Sequence, residues 1–285
     1  MIVHPLRLGA STWTYLQTCD LHTAMRRLRQ AGFSQLDVLT IPPHLWPSDL
    51  DEQHRRELRQ IARAEDFVIE SLNLPSTDQN LCSVTSEMRD YSVARWHDVL
   101  DLCEALGVGA AVMVPGRRPN FVPPPSDHCD RWLHAALEQL VPHAERAGVK
   151  LMLENHHQSP MPTVRQMAGF LDGFGSSQVG IAYDVANGVF VGEDHADAIQ
   201  AAGRWLLQVH LSDASRTKWD HAAIGRSEID FRAVSLALQA AGFGGTSIVE
   251  VISDNADVDM ADARQRLAHL GWQCGTPKVV ATTWQ

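Results

Sequence analysis

The sequence predicts a single α/β domain folded as an eight-stranded (β/α)8 barrel of the TIM type. Three observations carry this reading. Eight short apolar runs recur along the 285 residues, each bounded by turn signals. Segments of helical period lie between them. Four joints repeat one device, in which a glycine ends a helix and an apolar residue follows at once: Ala31-Gly32-Phe33, Leu106-Gly107-Val108, Ala147-Gly148-Val149 and Ala241-Gly242-Phe243. Glycine takes the left-handed position past a helix, and the apolar residue packs back on the last turn.

The runs fall at 6–13, 35–40, 68–74, 110–115, 150–154, 179–184, 206–211 and 247–252. The helical segments fall at 21–30, 51–65, 86–106, 127–146, 163–174, 196–202, 230–241 and 257–271. The clearest is 86–106, where Val93, Trp96, Leu100 and Cys103 return at i, i+3, i+7 and i+10. Strands alternating with helices give βαβ units and a parallel sheet, and eight such units in this length match a closed barrel. An open doubly wound sheet wants a glycine-rich phosphate turn after its first strand, and Gly9-Ala10-Ser11-Thr12 does not supply one. The domain is expected to span 1–275. A tail at 276–285 follows, either disordered or packed on a second copy in a homo-oligomer.

Composition narrows the function classes. With 45% hydrophobic and 20% charged residues, the chain is ordinary for a globular protein. It has neither a run long enough to span a membrane nor the apolar core of a signal peptide at its start. The five cysteines are scattered, with no CxxC spacing, and read as reduced thiols in a cytoplasmic protein. A formal net charge of −10 argues against nucleic acid as a partner.

In such a barrel the chemistry stands at the C-terminal ends of the strands. The fifth run ends on Glu154, the sixth on Asp184, the seventh carries His210 at its end and the eighth carries Glu250. A carboxylate or imidazole at one strand end is commonly a cap or a surface partner. At corresponding places in four consecutive units the four converge on one point. Three carboxylates brought together need a cation. The mostly oxygen donor set favours Mn²⁺, with Mg²⁺, Co²⁺ or Zn²⁺ as alternatives.

These residues carry a resemblance. LENHH at 153–157, YDVANGVFVGED at 183–194, VHLSD at 209–213, GRSEIDF at 225–231 and IVEV at 248–251 resemble the sugar phosphate isomerase/epimerase superfamily. These are the xylose isomerase-like barrels that also include endonuclease IV. The likeness spans nearly the whole chain and is to ketose 3-epimerases and to inosose isomerases and dehydratases. It implies a divalent-metal-dependent isomerase or epimerase of a small keto-sugar or keto-polyol, working through an enediolate. Glu154, Asp184, His210 and Glu250 would be the ligands, with Glu154 and Glu250 also the acid/base pair. Arg216, six residues past His210, matches the arginine that holds substrate oxygens. The same enolate chemistry gives a lyase or dehydratase acting on an oxidised sugar, glycoside or cyclitol as the alternative.

One departure stands out. Many members read Asp-x-x-His after the sixth strand, and here Asn187 takes the place of that histidine. An amide can bond a hydroxyl but is a poor ligand and no proton carrier. The trinuclear endonuclease IV site needs further histidines, and His97, His128, His156 and His157 are not evidently placed to provide them. Around the mouth, His156 and Asn73 are candidate substrate contacts, with structural hydrogen bonding as the other reading. Trp13 and Trp46 offer either an apolar wall or ordinary packing. Lys218 and Arg226 are solvated loop charges unless the substrate is acidic. Asp213 is expected to orient His210 or the loop that follows it.

Overall fold

The computed structural model describes residues 5–118 and 121–275, so the expected tail at 276–285 lies outside the described residues. The chain runs β1 (Leu6–Ser11), α1 (Leu21–Gln30), β2 (Gln35–Leu39), α2 (Glu52–Ala64), β3 (Val68–Leu74), α3 (Ser86–Leu106) and β4 (Ala110–Met113). It continues through α4 (Ser126–Ala147), β5 (Lys150–Glu154), α5 (Val164–Phe174), β6 (Val179–Asp184), α6 (Val185–Val191), α7 (His195–Ala202) and β7 (Leu206–Leu211). It closes with α8 (Phe231–Ala240), β8 (Thr246–Val249), α9 (Ala256–Ala268) and β9 (Trp272–Cys274). Strands β1 to β8 pair in sequence order and β1 pairs with both β2 and β8, which closes a parallel (β/α)8 barrel.

Local chemistry explains where the helices start and stop. Asp20 and Asp51 cap α1 and α2 by accepting from the backbone N–H groups of Thr23 and His54, at 2.8 and 2.9 Å. Thr163 and Gln166 form a reciprocal capping box on α5. The glycines at all four joints sit at positive φ, between 66° and 93°. The period read in α3 is its buried face, for Val93, Trp96, Leu100 and Cys103 all pack inward.

Two cores result. The main one lies between the strands and the surrounding helices. A small second one fills the barrel interior with Ala110, Val112, Met152 and Ala182, backed by Leu207. Above it the interior turns polar, with Asp37, Ser71, Gln208 and His210 all buried. Pairing fixes the level of the strand ends, since Asp184 lies opposite His210 and Glu154 opposite Ala182.

Four local features differ from the sequence reading. The first strand ends at Ser11, where its side chain accepts from Trp13 N–H and starts a 3₁₀ turn at Thr12–Tyr15. β8 is shorter than expected, so Glu250 stands one residue past it, although its N–H still donates to Leu211 C=O at 2.9 Å. Helix α6 lies between the sixth run and the next helical segment, where its seven residues are too few to show a helical period. Asp184 turns the chain by accepting from Asn187 N–H at 2.6 Å. β9 is a ninth strand that adds to β1 outside the barrel order, with the Trp272 indole donating to Ser247 Oγ at 2.9 Å.

Candidate active site

Glu154, Asp184, His210 and Glu250 meet at the C-terminal mouth of the barrel. Each offers one ligand atom, and these atoms all lie within 4.8 Å of one another. His210 sits at the centre. Its Nδ1 is 3.0 Å from Glu154 Oε1 and 3.1 Å from Glu250 Oε2. Its Nε2 is 2.9 Å from Gln208 Oε1. Gln208 Nε2 in turn donates to Ser71 Oγ at 3.1 Å, and Ser71 donates to Asp37 Oδ1 at 2.5 Å. This buried chain fixes the orientation of the ring, because the Gln208 carbonyl demands the proton on Nε2 and leaves Nδ1 facing the carboxylates. Asp184 is fixed through its backbone. Asn155 accepts from its N–H at 2.7 Å and donates to its C=O at 2.9 Å.

The electrostatics are those of a site short of positive charge. Burial, reinforced by Glu250 and Asp184, pushes the Glu154 carboxyl up to about 7 against the pull of His210. Burial and Glu250 push Asp184 up to about 7. Burial also opposes the Glu250 carboxylate, but the neighbouring His210 outweighs it and holds Glu250 below its ordinary range. Burial opposes the imidazolium of His210, and Glu250 and Glu154 outweigh that, raising its pKa well above the usual value. Asp184 Oδ2 is buried and has no hydrogen-bond partner. An orphaned carboxylate oxygen, two further carboxylates and one oriented imidazole nitrogen fit a divalent cation of the Mn²⁺ or Mg²⁺ kind.

Over this cluster lies an open cavity of about 210 Å³. Glu154 and Glu250 reach its lining, 7% and 5% exposed, whereas Asp184 and His210 lie beneath at 0%. His156, Asn187, Asn73 and Trp13 also line it, while Trp46 packs into the helix–strand core. Burial, His157 and Arg117 lower His156 to about 3, so its ring is neutral. His156 Nδ1 accepts from Gln158 N–H at 3.1 Å, which puts its one ring proton on Nε2. Asn187 Oδ1 accepts from the Trp219 indole N–H at 2.6 Å. Asn73 Nδ2 donates to Asp37 Oδ2 at 3.2 Å.

Three of the loop residues lie elsewhere. Arg216 is exposed, lies against Gly192 and is not among the residues lining the cavity. Lys218 pairs with Asp220 at 2.6 Å and Arg226 with Asp259 at 3.1 Å. The Asp213 carboxylate accepts from four backbone N–H groups, of Ala214, Gly225, Ser227 and Ile229, at 2.8–3.1 Å. It therefore binds the loop to itself, and Gln208 is the residue that orients His210.

Sequence reading missed Gln208, Arg117, Trp219 and His221. Gln208 had a signal, since residues two apart on a strand share a face and His210 was already assigned. Arg117 stands four residues past β4 at the functional end of the barrel. Trp219 and His221 lie in an irregular loop, where no period marks a residue. His221 has positive φ of 44°, and its Nδ1 lies 3.0 Å from Ser212 Oγ and 3.8 Å from Asp184 Oδ2.

Fold and site together define the class. The chain belongs to the xylose isomerase-like TIM barrel family, whose model matches residues 25–271. Among its relatives is an uncharacterised protein of Methanocaldococcus jannaschii, 24% identical over 260 residues, which are 86% of this chain and 83% of that one. An inosose dehydratase of Geobacillus thermodenitrificans is 26% identical over 130 residues, 40% of this chain and 44% of that one. Among solved structures, D-psicose 3-epimerase from Clostridium cellulolyticum H10, solved with D-tagatose, superposes with a TM-score of 0.81 at 16% identity. That match covers 94% of this chain and all of the epimerase.

Proposed function

We propose that this protein is a divalent-metal-dependent isomerase or epimerase of a small keto-sugar or keto-polyol. The observation that carries the reading is the division within the four-residue cluster. Glu154 and Glu250 both reach the cavity lining and both lie against His210 Nδ1, while Asp184 and His210 lie buried beneath. A binding module has no need of two such glutamates.

Glu154, Asp184, His210 and Glu250 would hold the ion, Mn²⁺ first among the candidates and Mg²⁺, Co²⁺ or Zn²⁺ after it. Bound there, a divalent ion supplies a positive electrophile for a carbonyl and a neighbouring hydroxyl. Glu154 and Glu250 do the proton work. One takes the proton from the carbon beside the carbonyl, leaving an enediolate, and the other returns a proton from the opposite side. Gln208 and Asn155 keep His210 and Asp184 in place. His156, with its proton on Nε2, donates to a substrate oxygen. Asn187 and Asn73 bond substrate hydroxyls, and Trp13 lies against the sugar ring.

A lyase or dehydratase acting on an oxidised sugar, glycoside or cyclitol is the second reading. The partial match to an inosose dehydratase favours it. A leaving group β to the carbonyl diverts the same enediolate to elimination. Incubating the Mn²⁺-loaded protein with a panel of keto-sugars and keto-cyclitols in D₂O separates the two. Deuterium in an isomeric product supports the first, and loss of the mass of water supports the second. Absence of deuterium from every compound with every metal overturns both.

A further inference from the structure

The cavity that serves the reaction also holds a guanidinium without a counter-charge. Arg117 lines the mouth together with Ser76, Thr77 and His156. No carboxylate among the described residues lies within 4.0 Å of it, whereas Asp220, the other charged residue in the upper lining, is neutralised by Lys218 at 2.6 Å. Arg117 is held by neutral groups alone. Its Nε and Nη2 both donate to Gln158 Oε1, the first at 3.0 Å, and its Nη1 donates to Ser76 C=O at 3.2 Å. Of its five N–H groups, two remain, one on each terminal nitrogen.

The surroundings build this position deliberately. Asn80 clamps the Arg117 backbone at both ends, accepting from its N–H at 2.9 Å and donating to its C=O at 2.8 Å. The preceding Gly116 has φ of 123°, and a Cβ there would stand 2.8 Å from Cys82. Only glycine lets the loop pass so close and turn the arginine toward the cavity. A half-buried guanidinium that is fixed in place and unpaired costs desolvation with no return inside the protein. Two free N–H donors on a rigid guanidinium suit the oxygens of a carboxylate or a phosphate.

We infer that Arg117 forms an anion subsite at the cavity mouth, and that the substrate is an acidic keto-sugar carrying a carboxylate or phosphate away from the reacting carbon. This rests on the isomerase reading above, which it sharpens from keto-sugars in general to anionic ones. Arg117, in place of Lys218 and Arg226, would be the residue that reads substrate charge.

The test is calorimetric binding to the Mn²⁺-loaded protein of three probes: D-fructose, D-fructose 6-phosphate and a ketohexuronate. Deuterium exchange is followed in parallel. The wild type should bind at least one anionic probe tenfold or more tightly than D-fructose, and the preferred probe tells phosphate from carboxylate. Arg117→Met should lower the anionic-to-neutral affinity ratio by tenfold or more, and Arg117→Lys should restore part of it. Equal affinity of the wild type for all three probes overturns the inference, whether or not either variant folds. Loss of affinity for all probes alike in Arg117→Met, with their ratio kept, also overturns it and makes the arginine a structural clamp. Anionic preference supports the subsite even where these probes do not exchange, while absence of exchange across the whole panel with every metal overturns the isomerase reading. Exchange from D-fructose without anionic preference supports the isomerase reading and overturns the subsite.

Discussion

At the scale of single residues, the site depends on which oxygen faces which proton. Replacing Glu250 by Gln removes a proton carrier while keeping shape, and general acid–base groups contribute roughly 10²–10⁴-fold. Deuterium exchange in Glu250→Gln should therefore fall by about a thousandfold with an unchanged circular dichroism spectrum. Turnover at the wild-type rate would reject the role. Trp219 offers a subtler test. Its indole N–H fixes the Asn187 amide at 2.6 Å, so Trp219→Phe frees that amide to rotate. One hydrogen bond is worth about 1 kcal/mol, and KM should rise about fivefold with kcat little changed. A kcat effect larger than the KM effect would place the indole in the chemistry instead.

At the scale of elements, strands bring the site together and one loop covers it. Asp213 follows β7 and ties down four backbone N–H groups of that loop, which also carries Trp219 and His221 into the cavity wall. Asp213→Ala should destabilise the fold by about 3 kcal/mol, since buried donors lose a charged acceptor. It should also speed amide hydrogen exchange at Gly225, Ser227 and Ile229. Slow exchange at those three positions in the variant would contradict the account. The same contrast explains what was legible in the chain. Glu154, Asp184 and His210 were readable because strands β5, β6 and β7 are short apolar runs with sharp ends, and the strand period fixes which way each end points. Glu250 was readable from β8 although it stands just past the strand. Trp219, His221 and Arg117 were not. Their places depend on long-range bonds, such as Asn80 to Arg117 and Asp213 to the loop, between residues with no common period. Helix α6 is not legible either, because seven residues are too few to show a period and its one local mark is the Asp184 cap.

At the scale of the whole molecule, the central cluster makes stability depend on pH and on cation. The carboxyls of Glu154 and Asp184 rise from 4.5 and 3.8 to about 7 on folding. Between about pH 4 and 7 the metal-free folded chain thus holds protons that the unfolded chain has released, and stability falls as pH rises through that window. His210, raised well above 6.5, adds to the loss as pH climbs further. Glu250, held below its usual range, contributes only at the acid end, where its stabilisation disappears as pH falls. Burial holds His44, His97, His156, His157, His195 and His221 below their ordinary value, which works the other way, so the cluster is read as a difference: the melting temperature of the metal-free protein relative to that of metal-free Asp184→Asn should drop between pH 5.5 and pH 8. A divalent ion binds the deprotonated ligands and stabilises by mass action, so 1 mM Mn²⁺ should raise the melting temperature more at pH 8 than at pH 5.5. An equal shift at both pH values would mean that the ion binds elsewhere. Among the described residues no helix is long and apolar enough to cross a membrane.

The central claim is that four residues from consecutive strand ends form one cation site serving two proton-carrying glutamates. A crystal grown with Mn²⁺ and measured at the manganese absorption edge tests it most directly. We predict one anomalous peak with Glu154, Asp184, His210 and Glu250 as its protein ligands, lost in Asp184→Asn. No peak at that cluster, or a peak held by other residues, would contradict it.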